Sequence, residues 1–464
     1  MEKNFLNVIV MAAGKGTRMK SKLPKVLHEV AGEAMLSHVI NSAKRLEANK
    51  IITIIGYQAN QIMDYYGDSL NVTWIEQKEQ LGTGHAVMQA IPELENYKGD
   101  VLILSGDVPL LSVETMKNLI DQHRNSNAKA TILTTVLENP FGYGRIIKDE
   151  NGNVLKIVEE KDSSNDEKAV REINSGTYCF DWESLNKYIK ELNPSNSQKE
   201  YYLTDVIKLF VDNQISVKSY QVNNPDEVLG INDRITLSYV SKKIRKNINN
   251  QLMLSGVTIL DPDTTYIDSN VKIGQDSIIY PNTVIEGKTI IGDDCVIGPN
   301  TQISNSIIGN NVKIVFASVF DSKIANKTSI GPYSRIREHS DVGENCKIGN
   351  FVELKKTVFE QDVKASHLSY LGDAEIGEKT NVGAGTITCN YDGKRKHKTI
   401  MGSNVFVGSN STLVAPIKLE SNTYVAAGSV ITETVPKYSL GIGRGKQKNI
   451  ENWVIKRKEK ESEI

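Results

Sequence analysis

Residues 289–312 read TIIGDDCVIGPNTQISNSIIGNNV, where aliphatic residues beside glycine, asparagine or serine return about every six positions. A period this short is not that of an amphipathic helix. The same beat recurs in VKIGQD, CKIGNF, AEIGEK, NVGAGT, NVFVGS and TYVAAG, from about residue 256 onward. Each hexapeptide makes one short face of a coil. Ile and Val of successive coils then stack inside a prism, Gly and Asn turn its corners, and every strand bonds to the coil above. The repeat predicts a parallel β-helix and leaves its handedness open.

Upstream of residue 234 the texture differs. NVIVMAA, IITIIG, VTWIEQ and DVLILSGD are apolar runs of the buried parallel-strand type, and AMLSHVINSAKRLEA and GTGHAVMQAI between them carry helical spacing. That alternation predicts a three-layer α/β sheet with right-handed crossovers. Between the halves, NDRITLSYVSKKIRKNINNQLMLSGV has helical spacing and reads as a rigid linking helix. The expected domains are 1–234, a linker helix 235–255, and 256–464. The 464 residues carry 55 basic and 56 acidic side chains, so no overall field would gather nucleic acid or coat a membrane. Four scattered cysteines without a C-x-x-C pair argue against a zinc site or a disulfide framework and for a reducing, cytoplasmic setting. No apolar run is long enough to span a bilayer, and the short basic run KRKEK reads as a solvated tail.

The turn AAGKGTRM follows an apolar strand. It lacks the Walker spacing, and Met19 replaces the third glycine of a dinucleotide fingerprint. Lys15, Arg18 and Lys25 nevertheless cluster around small residues whose backbone amides can approach a phosphate. Asp107 in LSGDVPLL falls where a strand ends, the usual place for ligand groups in open α/β sheets. Asn232 in LGIND is a second oxygen donor. Two hard oxygen ligands plus substrate phosphates suit Mg²⁺. In the repeat half, His367 lies three residues before Tyr370 in SHLSYLGD, where the beat falters, and TITCNYDGKRKHKT projects a polar, basic loop. Arg337 and Lys355 lie roughly one coil apart, and Asn381 opens the coil before the loop. A repeat that only stacks needs none of these.

In order, AAGKGTRM, LPKVL, QLGTGHA, SGDVPL, GYGRI, VEEKD, EINSGTY and GIND resemble a sugar-nucleotide pyrophosphorylase. With the hexapeptide half attached, the resemblance covers nearly the whole chain. It is to the bacterial bifunctional N-acetylglucosamine-1-phosphate uridyltransferase / glucosamine-1-phosphate N-acetyltransferase family. The resemblance implies a Rossmann-like nucleotidyltransferase domain, a left-handed β-helix, a homotrimer and UDP-N-acetylglucosamine for cell-wall synthesis as product. It also implies roles. Ala12, Ala13, Gly14, Gln77, Gly82 and Thr83 would hold the uracil nucleotide of UTP. Lys25 and Arg18 would contact phosphates, with Arg18 stabilising the transition state, and Asp107 and Asn232 would carry Mg²⁺. Gly144, Glu159 and Asn174 would bind N-acetylglucosamine-1-phosphate, while His85 is expected to be a packing or capping residue. IRE, ELKK, SHLSYLGD, NVGAGT and NYDGKRKHKT resemble the family's acetyltransferase site. His367 would be the general base, Arg337 and Lys355 would bind the phosphate of glucosamine-1-phosphate, and Tyr370, Asn381 and Lys396 would complete the pocket. Ala384, Asn390, Tyr391, Ser409, Ala427 and Arg444 would contact acetyl-CoA. The competing expectations are a single-function nucleotidyltransferase with an oligomerising β-helix, and a non-enzymatic binding scaffold.

Overall fold

The computed structural model describes residues 6–67 and 69–462, which form two compact units divided between Ile244 and Arg245. In the first, nine strands make one sheet: β1 (Leu6–Ala12), β2 (Lys50–Ile55), β3 (Thr73–Glu76), β4 (Asp100–Ser105), β5 (Ala130–Val136), β6 (Arg145–Lys148), β7 (Val154–Val158), β8 (Glu172–Asp181) and β9 (Val217–Gln221). The path runs β9-β5-β8-β4-β1-β2-β3, with the β6–β7 hairpin attached to β8. Ile9, Ile52, Ile54, Val101 and Ile103 are fully buried, as the apolar runs require.

Two features depart from the sequence reading. β8 lies antiparallel between β4 and β5, so the sheet is mixed. VTWIEQ, read as a buried strand, is the edge strand β3 and is only half-buried, its Trp74 stacked on Tyr66 at 5.4 Å. Strand order reverses where β1 meets β4, so the carboxyl ends of these neighbours, Ala12 and Ser105, flank a switch point.

The second unit stacks strands of two to four residues into three parallel sheets of 11, 10 and 9 strands, a left-handed parallel β-helix. Ile279, Ile297, Ile314, Ile330 and Ile348 stand directly above one another and are buried. Corner side chains tie coil to coil: the amides of Gln275, Asp293 and Asn310 donate to Asp293, Asn310 and Asn326 Oδ1 at 2.8–3.0 Å. The connecting helix is continuous over Arg234–Leu254. It does more than connect. Ile248, Leu252 and Met253 pack on the β-helix core, and buried Asn249 donates to the Pro262 carbonyl at 3.0 Å.

Candidate active sites

The glycine-rich turn leaves β1 and the LSGD motif leaves β4, so both reach the switch point. Gly16 adopts φ +59°, and a Cβ there would lie 2.5 Å from the Cβ of Lys25. Only glycine lets the turn fold over that side chain. The Lys25 ammonium in turn donates to Asp107 Oδ2 and, at 2.7 Å, to Asn232 Oδ1. Ser105 Oγ donates to Asp107 Oδ1 at 2.6 Å, and the Ile231 amide donates to the Asp107 carbonyl at 2.9 Å, fastening GIND to the end of β4. Burial opposes ionisation of Asp107, but the charge and hydrogen bond of Lys25, together with hydrogen bonds from Ser105 and the backbone, outweigh it and hold the carboxyl below its ordinary value. A carboxylate and an amide oxygen already sharing one cation are the donor chemistry a hard divalent ion uses, so the pair fits Mg²⁺.

A cleft of about 440 Å³ opens beside this group, lined by Ala12, Ala13, Gly14, Lys25, Gln77, Gly82, Thr83 and Asp107, a volume in the range of small-molecule sites. Gln77 donates to the Gly82 carbonyl at 3.2 Å and is hydrogen-bonded to His85 at 2.9 Å, while Gln89 holds the other ring nitrogen of His85 at 3.1 Å. His85 is therefore packed between two amides and orients one wall of the cleft. Arg18 is exposed on the turn Thr17–Met19, outside that lining but within electrostatic reach of Tyr143 and Asp233.

Gly144, Glu159 and Asn174 meet at the β6–β8 junction. The Asn174 amide donates to the Gly144 carbonyl at 2.9 Å, and a Cβ on Gly144 would lie 3.5 Å from both Asn174 Cβ and Glu159 Oε1. Burial raises the Glu159 carboxyl above its ordinary value; a hydrogen bond from Thr204 opposes this and the charges of Asp205, Asp162 and Glu200 add to it. Sequence reasoning missed Arg145. It is only 2% exposed, donates to Glu160 Oε2 at 2.7 Å and to the Tyr143 carbonyl, and Glu160 also accepts the Gly142 amide at 3.2 Å. This pair fixes the Gly142–Gly144 turn. Its signal was an arginine beside GYG and a second glutamate in VEEKD, each one residue past the residue singled out.

On the β-helix, the paired core residues Ile348, Ala365, Val382, Val407 and Val425 define a column. Two residues beyond them stand Asn350, His367, Ala384, Ser409 and Ala427, a second column along one edge. Its carbonyls take amides from the next coil: Gly385 to His367 at 3.4 Å, Asn410 to Ala384 at 2.7 Å and Gly428 to Ser409 at 2.8 Å. At Ala427 the donor is instead the Arg444 guanidinium, at 2.9 Å. Small residues thus leave an open edge running from the exposed His367 to Arg444.

The adjoining face carries the cations. Arg335, Glu353 and Tyr370 are paired coil to coil, with Arg337 and Lys355 two residues beyond the first two. Arg337 bonds Glu353 at 3.0 Å. Lys396 presses against Lys355 and, with Arg337, pushes its ammonium below its ordinary value against the opposing charge of Glu338, so three cations share the two carboxylates Glu338 and Glu353 and an anion would relieve them. Lys396 comes from a loop that is already folded: Asp392 Oδ1 accepts the amides of Lys394 and Arg395, and Tyr391 bridges Lys396. Asn390 donates to Asp373 at 2.5 Å, and a Cβ on Gly372 would meet both Tyr370 Oη and Asn390 Nδ2, so these two side chains converge. The interruption in the beat falls after His367 rather than at it. Its coil pairs normally on both sides, and the long excursion lies between Asn381 and its partner Phe406.

Comparison with known proteins gives the same division. A nucleotidyl transferase family model matches residues 7–225, bacterial transferase hexapeptide repeats match 270–305 and 321–356, and a hexapeptide repeat of succinyl-transferase matches 398–433. Proteins named bifunctional protein GlmU align along nearly the full length. That of Geobacillus sp. (strain WCH70) is 49% identical over 96% of this chain and 97% of its own. That of Streptococcus agalactiae serotype V is 48% identical over 97% of each, and that of Listeria monocytogenes serotype 4a is 49% identical over 95% and 96%. With a nucleotidyl transferase match and hexapeptide repeats in one chain, and identity sustained along nearly its full length, this chain belongs to the bifunctional GlmU family.

Proposed function

We infer that the protein is a bifunctional enzyme that makes UDP-N-acetylglucosamine. The β-helix transfers acetyl from acetyl-CoA to the amine of glucosamine-1-phosphate. The N-terminal unit then transfers uridylyl from UTP to N-acetylglucosamine-1-phosphate and releases pyrophosphate. The observation that carries this reading is that each unit builds its own convergent polar site: Lys25, Asp107 and Asn232 in one, and Arg337, Lys355 and Lys396 near the His367 edge in the other.

In uridylyl transfer the sugar phosphate oxygen attacks the α-phosphorus of UTP. Two anions must approach and charge builds on the leaving pyrophosphate, so positioning and cations supply most of the catalysis. Lys25 and Arg18 are the groups we assign to the phosphates, the Ala12–Gly14 turn and Gln77 to the nucleotide, and the Gly144–Glu159–Asn174 group to the sugar. Mg²⁺ held by Asp107 and Asn232 would neutralise the triphosphate. In acetyl transfer His367 takes a proton from the sugar amine, which attacks the thioester carbonyl, and the CoA thiolate leaves. The three cations hold the sugar phosphate, and the edge from Ala384 to Arg444 is the track for acetyl-CoA.

A homotrimer is part of this proposal. In four successive coils one corner carries Phe316, Tyr333, Phe351 and Leu368, all with positive φ. Elsewhere along that edge the chain uses Asn or Gly for such turns, as at Asn282, Asn300, Gly385, Asn410 and Gly428. A left-handed conformation costs about 1–2 kcal/mol in a non-glycine residue. Tyr333 and Phe351 stack at 5.4 Å, yet each is 57% exposed and Leu368 is 62% exposed. An apolar ladder beside His367 is what a shared threefold interface would cover. Among the described residues no helix is long and apolar enough to cross a membrane. Incubating the purified protein with glucosamine-1-phosphate, acetyl-CoA, UTP and Mg²⁺, and again with each omitted, tests the assignment. Formation of UDP-N-acetylglucosamine only with all four supports it. Formation from glucosamine-1-phosphate without acetyl-CoA refutes it.

A further inference from the structure

We propose that Lys25 is an internal counter-cation that keeps a divalent ion out of the Asp107–Asn232 pair until a nucleoside triphosphate draws its ammonium away. This rests on the reading of Asp107 and Asn232 as metal ligands. The ammonium touches both ligand oxygens at once, Asp107 Oδ2 and Asn232 Oδ1, and so stands where a shared ion would stand. The group is mostly shielded from water, with the Lys25 side chain 11% and the Asp107 side chain 17% exposed. Its stem is wedged under the glycine-rich turn, since a Cβ on Gly16 would come within 3.1 Å of its Cγ and Cδ.

Charge sets the order of binding. With Lys25 in place the Asp107 carboxylate is already neutralised. Adding a divalent ion alone would set it against an ammonium within hydrogen-bond reach in a poorly screened pocket, where like charges repel strongly. A triphosphate changes the balance. The cleft is lined by Gly14, Lys15 and Lys25 itself, two cations beside a glycine whose backbone a phosphate can approach. Phosphate oxygens give the ammonium a new acceptor, and rotation about the bonds beyond the wedged Cδ lets it turn toward them. Asp107 and Asn232 are then free to hold the metal that bridges to the same phosphates. Metal and nucleotide therefore bind with positive coupling, which is necessarily reciprocal.

The test measures Mn²⁺ binding to the full-length protein by the electron paramagnetic resonance of free Mn²⁺, without substrates and then with UTP. Lys25→Met keeps the stem without the charge, and Lys25→Gln also keeps a donor for Asn232. Without nucleotide both should bind Mn²⁺ at least about tenfold more tightly than wild type, within the usual range of coupling between sites. Asp107→Asn should abolish that gain in the double variants. A folded Lys25 variant, judged by a single cooperative melting transition, that binds Mn²⁺ no better than wild type overturns the counter-cation. Should neither variant fold, wild type alone decides it: free enzyme that already binds Mn²⁺ as tightly through Asp107 as the Mn²⁺–UTP complex does is incompatible with occlusion by Lys25. If Asp107→Asn leaves Mn²⁺ binding untouched with and without UTP, the ligand reading itself fails, and the counter-cation with it.

Discussion

On the function proposed here, the two reactions turn on Asp107 and His367, and each side chain can be changed without touching the other's unit. Asp107→Asn keeps the shape but leaves the Lys25 ammonium without its anion and the metal pair without its charge. Uridylyl transfer should fall to background while acetyl transfer stays within about twofold of wild type, measured by separate half-reaction assays. The same pair gives a pH signature. Because the folded state holds the Asp107 carboxyl below its ordinary value, its contribution to stability is complete above the unfolded carboxylate range. It is lost as pH falls through the lower folded value. The melting difference between wild type and Asp107→Asn should therefore shrink as pH is lowered from about 7 to about 3, and a difference that grows on acidification would contradict the pairing. His367→Ala should lower acetyl transfer by about 10²–10⁴-fold and spare uridylylation. A loss of only a few-fold would make that histidine structural. At this scale the sequence was informative because motif residues carry their chemistry with them. Arg145 escaped because its importance lies in full burial against Glu160, which no spacing displays.

At the scale of elements, the hexapeptide beat made the β-helix readable, since an aliphatic residue recurring at that interval has only the inside of a narrow prism to occupy. The column from His367 through Ala384, Ser409 and Ala427 to Arg444 was not readable, because the loop inserted before Phe406 breaks the sequence interval while leaving the spatial one intact. Antiparallel β8 was hidden for a related reason: a buried central strand is apolar whichever way it runs. The linking helix was legible as a helix, but not as a lid on the β-helix core. Its apolar residues Ile248, Leu252 and Met253 look like those of any amphipathic helix until Asn249 is seen bonded to Pro262. Arg444→Met tests the column. It removes the donor to the Ala427 carbonyl and a cation from the edge proposed as the acetyl-CoA track, and should raise the KM for acetyl-CoA about tenfold, as losing one charge-assisted hydrogen bond does. The KM for glucosamine-1-phosphate should stay unchanged, and steady-state kinetics with each substrate varied distinguishes the two.

At the scale of the whole molecule, the proposed homotrimer assigns the exposed corner ladder to its interface. Replacing Tyr333 and Phe351 together by Asp places charge on two stacked rings that are exposed in a single chain, so folding should survive while assembly does not. Sedimentation should give a trimer for wild type and a monomer with little acetyl transfer for the double variant, with uridylyl transfer retained. Wild-type protein that sediments as a fully active monomer would refute the proposed homotrimer. Each unit also has its own apolar core, so two activities on one chain need not share residues. Mixing variants tests that central claim most directly. Glucosamine-1-phosphate, acetyl-CoA, UTP and Mg²⁺ are supplied to Asp107→Asn alone, to His367→Ala alone, and to both together, and products are identified by mass. The first should accumulate N-acetylglucosamine-1-phosphate, the second should leave glucosamine-1-phosphate unchanged, and the mixture should make UDP-N-acetylglucosamine. UDP-N-acetylglucosamine formed by either variant alone at the wild-type rate would contradict the account.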